Sequence, residues 1–123
     1  PDMGWEICPE GRYRIIMQYA AYPNLPPIVI SEIGCAVPDE VAADGGVHDV
    51  RRIDFYQRYI AQVLRAKNEG VDIRGYFAWT ILDNFEWAVG FEPWFGLVHV
   101  DWETLQRTVK DSGLWFQEFL KGE

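Results

Sequence analysis

Apolar positions along the chain change period several times. Tyr13, Ile16, Met17 and Ala20 fall on one face of a helix that opens at Pro9-Glu10-Gly11 and runs to about Ala20. Tyr22-Pro23-Asn24 and Pro26-Pro27 end it, because proline cannot continue a helix and biases its predecessor to extended geometry. Ile28-Val29-Ile30 is short, β-branched and apolar on both faces, the pattern of a buried parallel strand, with Ser31-Glu32 at its C-terminal end. A polar loop with Asp44-Gly45-Gly46 follows. Asp49 then reads as the N-cap of a long helix whose apolar positions are Val50, Ile53, Tyr56, Ile60, Val63 and Leu64, and Gly70 stops it. Val71 and Ile73 lead into a second strand, Gly75-Tyr76-Phe77-Ala78-Trp79. Val98 to Trp102 alternates between turn signals and predicts a hairpin arm. A last helix is predicted from about Lys110 to Leu120, with Leu114, Trp115, Phe119 and Leu120 inward.

Strands alternating with helices imply α/β units and a parallel sheet. Only two clear core strands are present, and a full (β/α)8 barrel takes ~250 residues. The order of elements is therefore that of a slice of a large α/β domain. The opening Pro1-Asp2-Met3-Gly4-Trp5-Glu6 is neither a signal peptide nor a start methionine, which also reads as a piece of a longer chain.

Composition narrows the functional classes. The 11 Lys+Arg against 19 Asp+Glu give 11 − 19 = −8, without a basic cluster, which argues against a nucleic-acid partner. No run of ~18 apolar residues predicts a membrane-spanning helix. Cys8 and Cys35 fit neither a disulfide framework nor a zinc pattern. They read as two reduced, buried thiols, and the expected location is cytoplasmic. No metal or cofactor is expected. His48 and His99 have no metal-ligand partner at helical spacing and read as ordinary surface or core residues.

Two places carry chemistry. Glu32 is a carboxylate at the C-terminal end of an apolar strand, where α/β barrels place catalytic groups. Gly34-Cys35-Ala36 after it are small and let another group approach. The plainer alternative is a solvated glutamate opening a loop. The stretch from Trp79 to Trp87 ends the second core strand and packs two Trp, two carboxylates and an Asn together. Sugars are bound in this way: aromatic faces meet ring C–H groups, and carboxylates accept hydrogen bonds from neighbouring hydroxyls. Its alternative is a hydrophobic plug. Phe91, Trp94 and Phe95 prolong the aromatic run, and Trp94 either lines a pocket mouth or covers a barrel edge.

These residues resemble a known family. Ile30-Ser31-Glu32-Ile33-Gly34 is similar to the (I/V)-T-E-N-G signature of family 1 glycoside hydrolases, the β-glucosidase and β-galactosidase group. Gly75 to Trp87 resembles that family's G-Y-F-A-W-S-L-L-D-N-F-E-W block, and Phe95 to Asp101 its F-G-L-x-x-V-D hairpin. Asp2 to Ile7 and Lys110-Asp111-Ser112 also match, so the resemblance covers essentially the whole chain.

The resemblance implies the C-terminal quarter of a (β/α)8 TIM barrel, strands seven and eight with flanking helices. Residues 1–123 would be one segment of a single catalytic barrel and not a complete domain alone. It implies retaining hydrolysis of terminal non-reducing β-D-glucosyl, galactosyl or fucosyl residues through a covalent glycosyl-enzyme. Glu32 would be the nucleophile. Glu86 would bind the 4- and 6-hydroxyls of the sugar, Trp87 its 3-hydroxyl, Trp79 would lie under the ring, Phe95 near the 6-hydroxymethyl and Trp5 on the aglycone side. Glu86 also favours a sugar without a 6-phosphate. The general acid/base of the family's T-x-N-E-P motif is not in this chain, so the chain alone is expected to be inactive. Its implied partners are a β-glycoside and the N-terminal remainder of the barrel, on the same or a separate chain. The sequence departs from the pattern at Ile33, usually Asn, at Ser31, usually Thr, and at Trp94, usually Arg. A second reading is a non-catalytic carbohydrate-binding or barrel-complementing chain.

Overall fold

A computed structural model describes residues 4–122; Asp2 and Met3 of the opening motif lie outside the described residues. The first helix, α1 (Pro9–Ala20), begins with proline, whose fixed φ suits a first turn. It buries Ile16 and packs Tyr13 and Met17 against the core. Strand β1 (Ile28–Ile33) pairs in parallel with β2 (Ile73–Ala78). Parallel neighbours need a crossover, and the long helix α2 (Val50–Asn68) lies between them in the chain. An antiparallel hairpin of β3 (Val98–Val100) and β4 (Arg107–Val109) follows, then α3 (Asp111–Lys121).

The core lies between one face of the β1–β2 pair and the helices. Ile30, Ile33 and Ile73 from the strands meet Phe55, Tyr56, Tyr59, Ile60 and Val63 of α2. The other face is bare: Val29 is 50% exposed and Phe77 60%. The helix faces differ from expectation in detail. Val50 and Leu64 are exposed, and the α2 stripe runs instead through Arg52, Phe55, Tyr56, Tyr59, Ile60 and Val63. In α3, Leu114, Phe119 and Leu120 are exposed, while Trp115 and Phe116 pack on the core.

Charge, buried, fastens the loops to this core. Asp49 occupies the N-cap position of α2, but its side chain does not cap the helix. Its carboxylate accepts from the Ser112 N–H and hydroxyl and pairs with Arg52. Arg52, fully buried, also pairs with Asp39 at 2.8 Å and donates to the Trp94 carbonyl at 2.6 Å. Burial alone would lower its pKa; the Asp39 and Asp49 carboxylates outweigh that and hold it above the ordinary arginine range. Lys110, also fully buried, bridges Asp39 and Asp83. Asp83 further accepts from the Gly96 N–H at 2.8 Å and lies 3.3 Å from His99. Neither histidine is isolated: His48 bridges Asp44 and Asp111 at the surface.

Removing one member of such a network strands a buried charge. Arg52→Ala is expected to destabilise the fold by about 3–5 kcal/mol. Arg58→Ala, which removes an exposed pair with Asp54, is expected to cost about 0–1 kcal/mol. Urea unfolding of both variants checks the contrast, and similar midpoints would contradict it.

Candidate functional site: the C-terminal ends of the paired strands

Glu32 lies within β1 rather than just after it. The pairing runs Ile30 to Tyr76 and then Ile33 to Ala78, so β1 spends one more residue than β2 over this stretch. Ser31 and Glu32 occupy that irregularity, and both are exposed. A bulge bends a strand and re-aims its side chains. Here it lets Ile30 and Ile33 both enter the core while Glu32 stays outside it. Ile33, where the family pattern has Asn, is thus a core residue, 5% exposed.

The two strand ends are locked together past the bulge. The Trp79 N–H donates to the Ile33 carbonyl at 2.8 Å, and the Trp79 carbonyl accepts from Tyr56 Oη at 3.2 Å. A Cβ built on Gly34 would lie 1.9 Å from that carbonyl oxygen, so only glycine fits. The Trp79–Thr80 peptide is cis. Thr80 exchanges backbone hydrogen bonds with the next loop: its N–H donates to Phe95 at 3.3 Å, and its carbonyl accepts from Leu97 at 2.9 Å. Phe95, 4% exposed, is thereby held beside Trp79-Thr80.

Glu32 opens on a cleft of about 260 Å³ lined by Trp5, Arg12, Cys35, Phe55 and Tyr59 among others. The Trp5 ring lies 6.4 Å from that of Phe95. Of the other predicted sugar-binding residues, Trp79, Glu86, Trp87 and Phe95 do not line this cleft. Glu86 sits at the start of the short 3-10 turn Trp87–Val89, its N–H donating to Gly90 at 2.7 Å. Trp87 is 83% exposed. Among the described residues neither the Glu32 nor the Glu86 carboxylate has a hydrogen-bond or ion-pair partner, which leaves both available to a ligand. The structure therefore brings Glu32 and Trp5 to one cleft, sets Trp79 and Phe95 beside the strand ends through backbone hydrogen bonds, and carries Glu86 and Trp87 on the adjoining loop.

Trp94 lines a separate cleft with Phe91 and Trp102, and its ring lies 4.5 Å from that of His99. Sequence reasoning missed the buried ions Asp39, Arg52 and Lys110, and it gave Asp49 a capping role and Asp83 a place among the sugar-binding carboxylates, whereas both are buried in ion pairs. One signal existed: Arg52 falls one turn before Tyr56 on the inward stripe of α2, where a charge has no place unless it is paired.

Comparison with known proteins decides the family. The sequence profile described as Glycosyl hydrolase family 1 matches residues 1–123. The chain belongs to glycosyl hydrolase family 1. Among its relatives, β-glucosidase A of Acetivibrio thermocellus is 46% identical over 120 residues, 98% of this chain and 27% of that protein. β-Glucosidase A of Thermotoga maritima is 49% identical over 119 residues, 97% of this chain and 27% of that one. A bifunctional β-D-glucosidase/β-D-fucosidase of Bifidobacterium breve is 46% identical, across 97% of this chain and 27% of its own length. The family 1 β-glucosidase from T. maritima, solved in complex with isofagomine lactam, superposes with a TM-score of 0.95 at 48% identity, covering 98% of this chain and 27% of that one. The chain thus spans about a quarter of the length of the family members it matches, which are TIM barrels, and it is a portion of such a fold.

The thiols differ from the expectation of two buried cysteines: Cys35 is buried beside Glu32, but Cys8 is exposed. Burial pushes the Cys35 thiol up to about 11. Thiolate is the reactive form, so iodoacetamide at pH 8 should modify Cys8 and spare Cys35 until the protein is unfolded. Peptide mass spectrometry reads this, and equal labelling of both would contradict the packing of the Glu32 cleft.

Proposed function

We propose that this chain is the C-terminal part of a retaining β-glycosidase barrel, with β1 and β2 as its seventh and eighth strands. The bare inner face at Val29 and Phe77 supports this, since a parallel sheet is covered on both faces in a complete fold. The substrates are terminal non-reducing β-D-glucosyl residues and, by analogy with the B. breve relative, β-D-fucosyl residues. The observation that carries the reading is Glu32 itself: a carboxylate with no partner among the described residues, in the bulge near the C-terminal end of a parallel strand, next to the strand that Trp79 follows.

In this reading Glu32 attacks the anomeric carbon while an acid supplied by the rest of the barrel, ~5–5.5 Å away, protonates the leaving oxygen. The resulting glycosyl ester is resolved by water, with the same partner acting as base. Trp79 lies under the sugar ring. Glu86 accepts from its 4- and 6-hydroxyls and Trp87 donates to its 3-hydroxyl. Phe95 packs near the 6-hydroxymethyl group, and Trp5 flanks the aglycone. The chain alone, with one carboxylate of the pair, is inactive on an aryl β-glucoside and gains turnover only with the remaining barrel.

Two substitutions in the complete barrel test the roles. Glu32→Gln should remove turnover by several orders of magnitude while glucoside binding persists in a calorimetric titration. Retained turnover would overturn the nucleophile assignment. Glu86→Ala should lower kcat/KM on aryl glucosides about ten- to a hundred-fold or more, because a single charge-assisted hydrogen bond lost in the transition state is worth ~1.5–3 kcal/mol. Unchanged kinetics would place Glu86 outside the sugar site.

A further inference from the structure

The loop that follows Glu32 and the segment that carries Glu86 are joined by one buried ammonium. Lys110 Nζ lies 2.8 Å from Asp39 Oδ2 and 2.9 Å from Asp83 Oδ1. Asp39 belongs to the loop that continues from Glu32; Asp83 belongs to the segment that leads from Trp79 to Glu86. Each carboxylate is anchored a second time. Asp39 pairs with Arg52 of α2, and Asp83 accepts from the Gly96 N–H beside Phe95. The backbone of Lys110 is fixed as well: its N–H donates to the Leu97 carbonyl at 2.9 Å, and Gly113 packs on that same carbonyl. Lys110 has no exposed surface, and among the described residues none of its polar contacts is with Glu32, Trp79, Glu86 or Trp87.

We infer that Lys110 is a positioning residue for sugar recognition, an ammonium strut that sets the separation between the loop that follows Glu32 and the segment that carries Glu86. Two carboxylates with no cation between them repel, and in a dry site that repulsion is poorly screened. With Lys110 in place both loops are drawn to one point. The close contacts at Gly96, where a Cβ would lie 2.2 Å from the Asp83 nitrogen, pass that position on to the Phe95 loop. Small displacements matter here, because a misplacement of ~1 Å by a distant change costs up to ~100-fold in rate. The inference rests on the proposed role of Glu86 as the ligand of the 4- and 6-hydroxyls.

Its test compares two substrates in the complete barrel: an aryl β-glucoside, and the matching β-xyloside, which lacks the 6-hydroxymethyl group. Rates are normalised to active-site concentration. Lys110→Met should lower kcat/KM for the glucoside about tenfold more than for the xyloside, because the lost positioning acts through contacts that only glucose can make in full. An equal loss on both sugars is what a merely structural defect gives, and would overturn the inference. Should Lys110→Met fail to fold, the same comparison is read on Lys110→Met with Asp83→Asn, in which Asp83 is no longer a stranded charge; the same two outcomes decide. Glu86→Ala is the reference. It should shrink the glucoside-to-xyloside ratio directly. A ratio unmoved by Glu86→Ala would overturn the reading of Glu86 and the strut with it. A ratio moved by Glu86→Ala but not by the Lys110 variants would overturn the strut alone.

Discussion

The rest of the structure depends on a buried ionic network that joins three loops and two helices. Two cations, Arg52 and Lys110, are enclosed with three carboxylates, Asp39, Asp49 and Asp83. Taking these charges out of water is expensive, and it is tolerated only because the carboxylates also accept from Ser112, Gly96 and the cations together. Apolar packing is broad and non-directional, so it holds α1 and α2 on the strands without specifying where a long loop must lie. The network is directional. It fixes the loop after β1, the loop after β2 and the start of α3 at one set of distances.

The strand ends depend on that frame in a second way. Glu32 stays clear of the core because β1 carries an extra residue at Ser31-Glu32, and the pairing recovers at Ile33. The recovery is tight: the Gly34 backbone meets the Trp79 carbonyl with no room for a side chain. The backbone that bears Glu32 is thus set by hydrogen bonds and packing on both sides of the bulge. That suits a group which must meet a ligand at a defined place.

Much of this was legible in the sequence. The periods of α1 and α2, the β-branched run at Ile28-Val29-Ile30 and the turn residues around the hairpin each reflect a local constraint, and each element formed where that constraint put it. The placement of Glu32 near a strand's C-terminal end was legible from the apolar run before it, although the strand continues past it to Ile33. The bulge was not, since register arises only when a partner strand is present. Nor was the network: Asp39, Asp83 and Lys110 are ordinary polar letters until the fold brings them together across long stretches of chain. Val50, Leu64, Leu114 and Leu120 fit an inward period but lie outside the faces that this chain covers, because apolar residues on a helix exceed what one neighbour can bury. Cys8 was assigned a buried place from its residue type, whereas its position just before α1 leaves it at the surface.

In the proposed mechanism Glu32 is the group that bonds to the sugar. Incubating the complete barrel with an activated 2-deoxy-2-fluoro-β-glucoside, then digesting it and sequencing the labelled peptide by mass spectrometry, tests this directly. One equivalent of fluorosugar is expected on the peptide that carries Ile30-Ser31-Glu32, attached through the Glu32 carboxylate. A label on Glu86, or on any residue outside this chain, would contradict it.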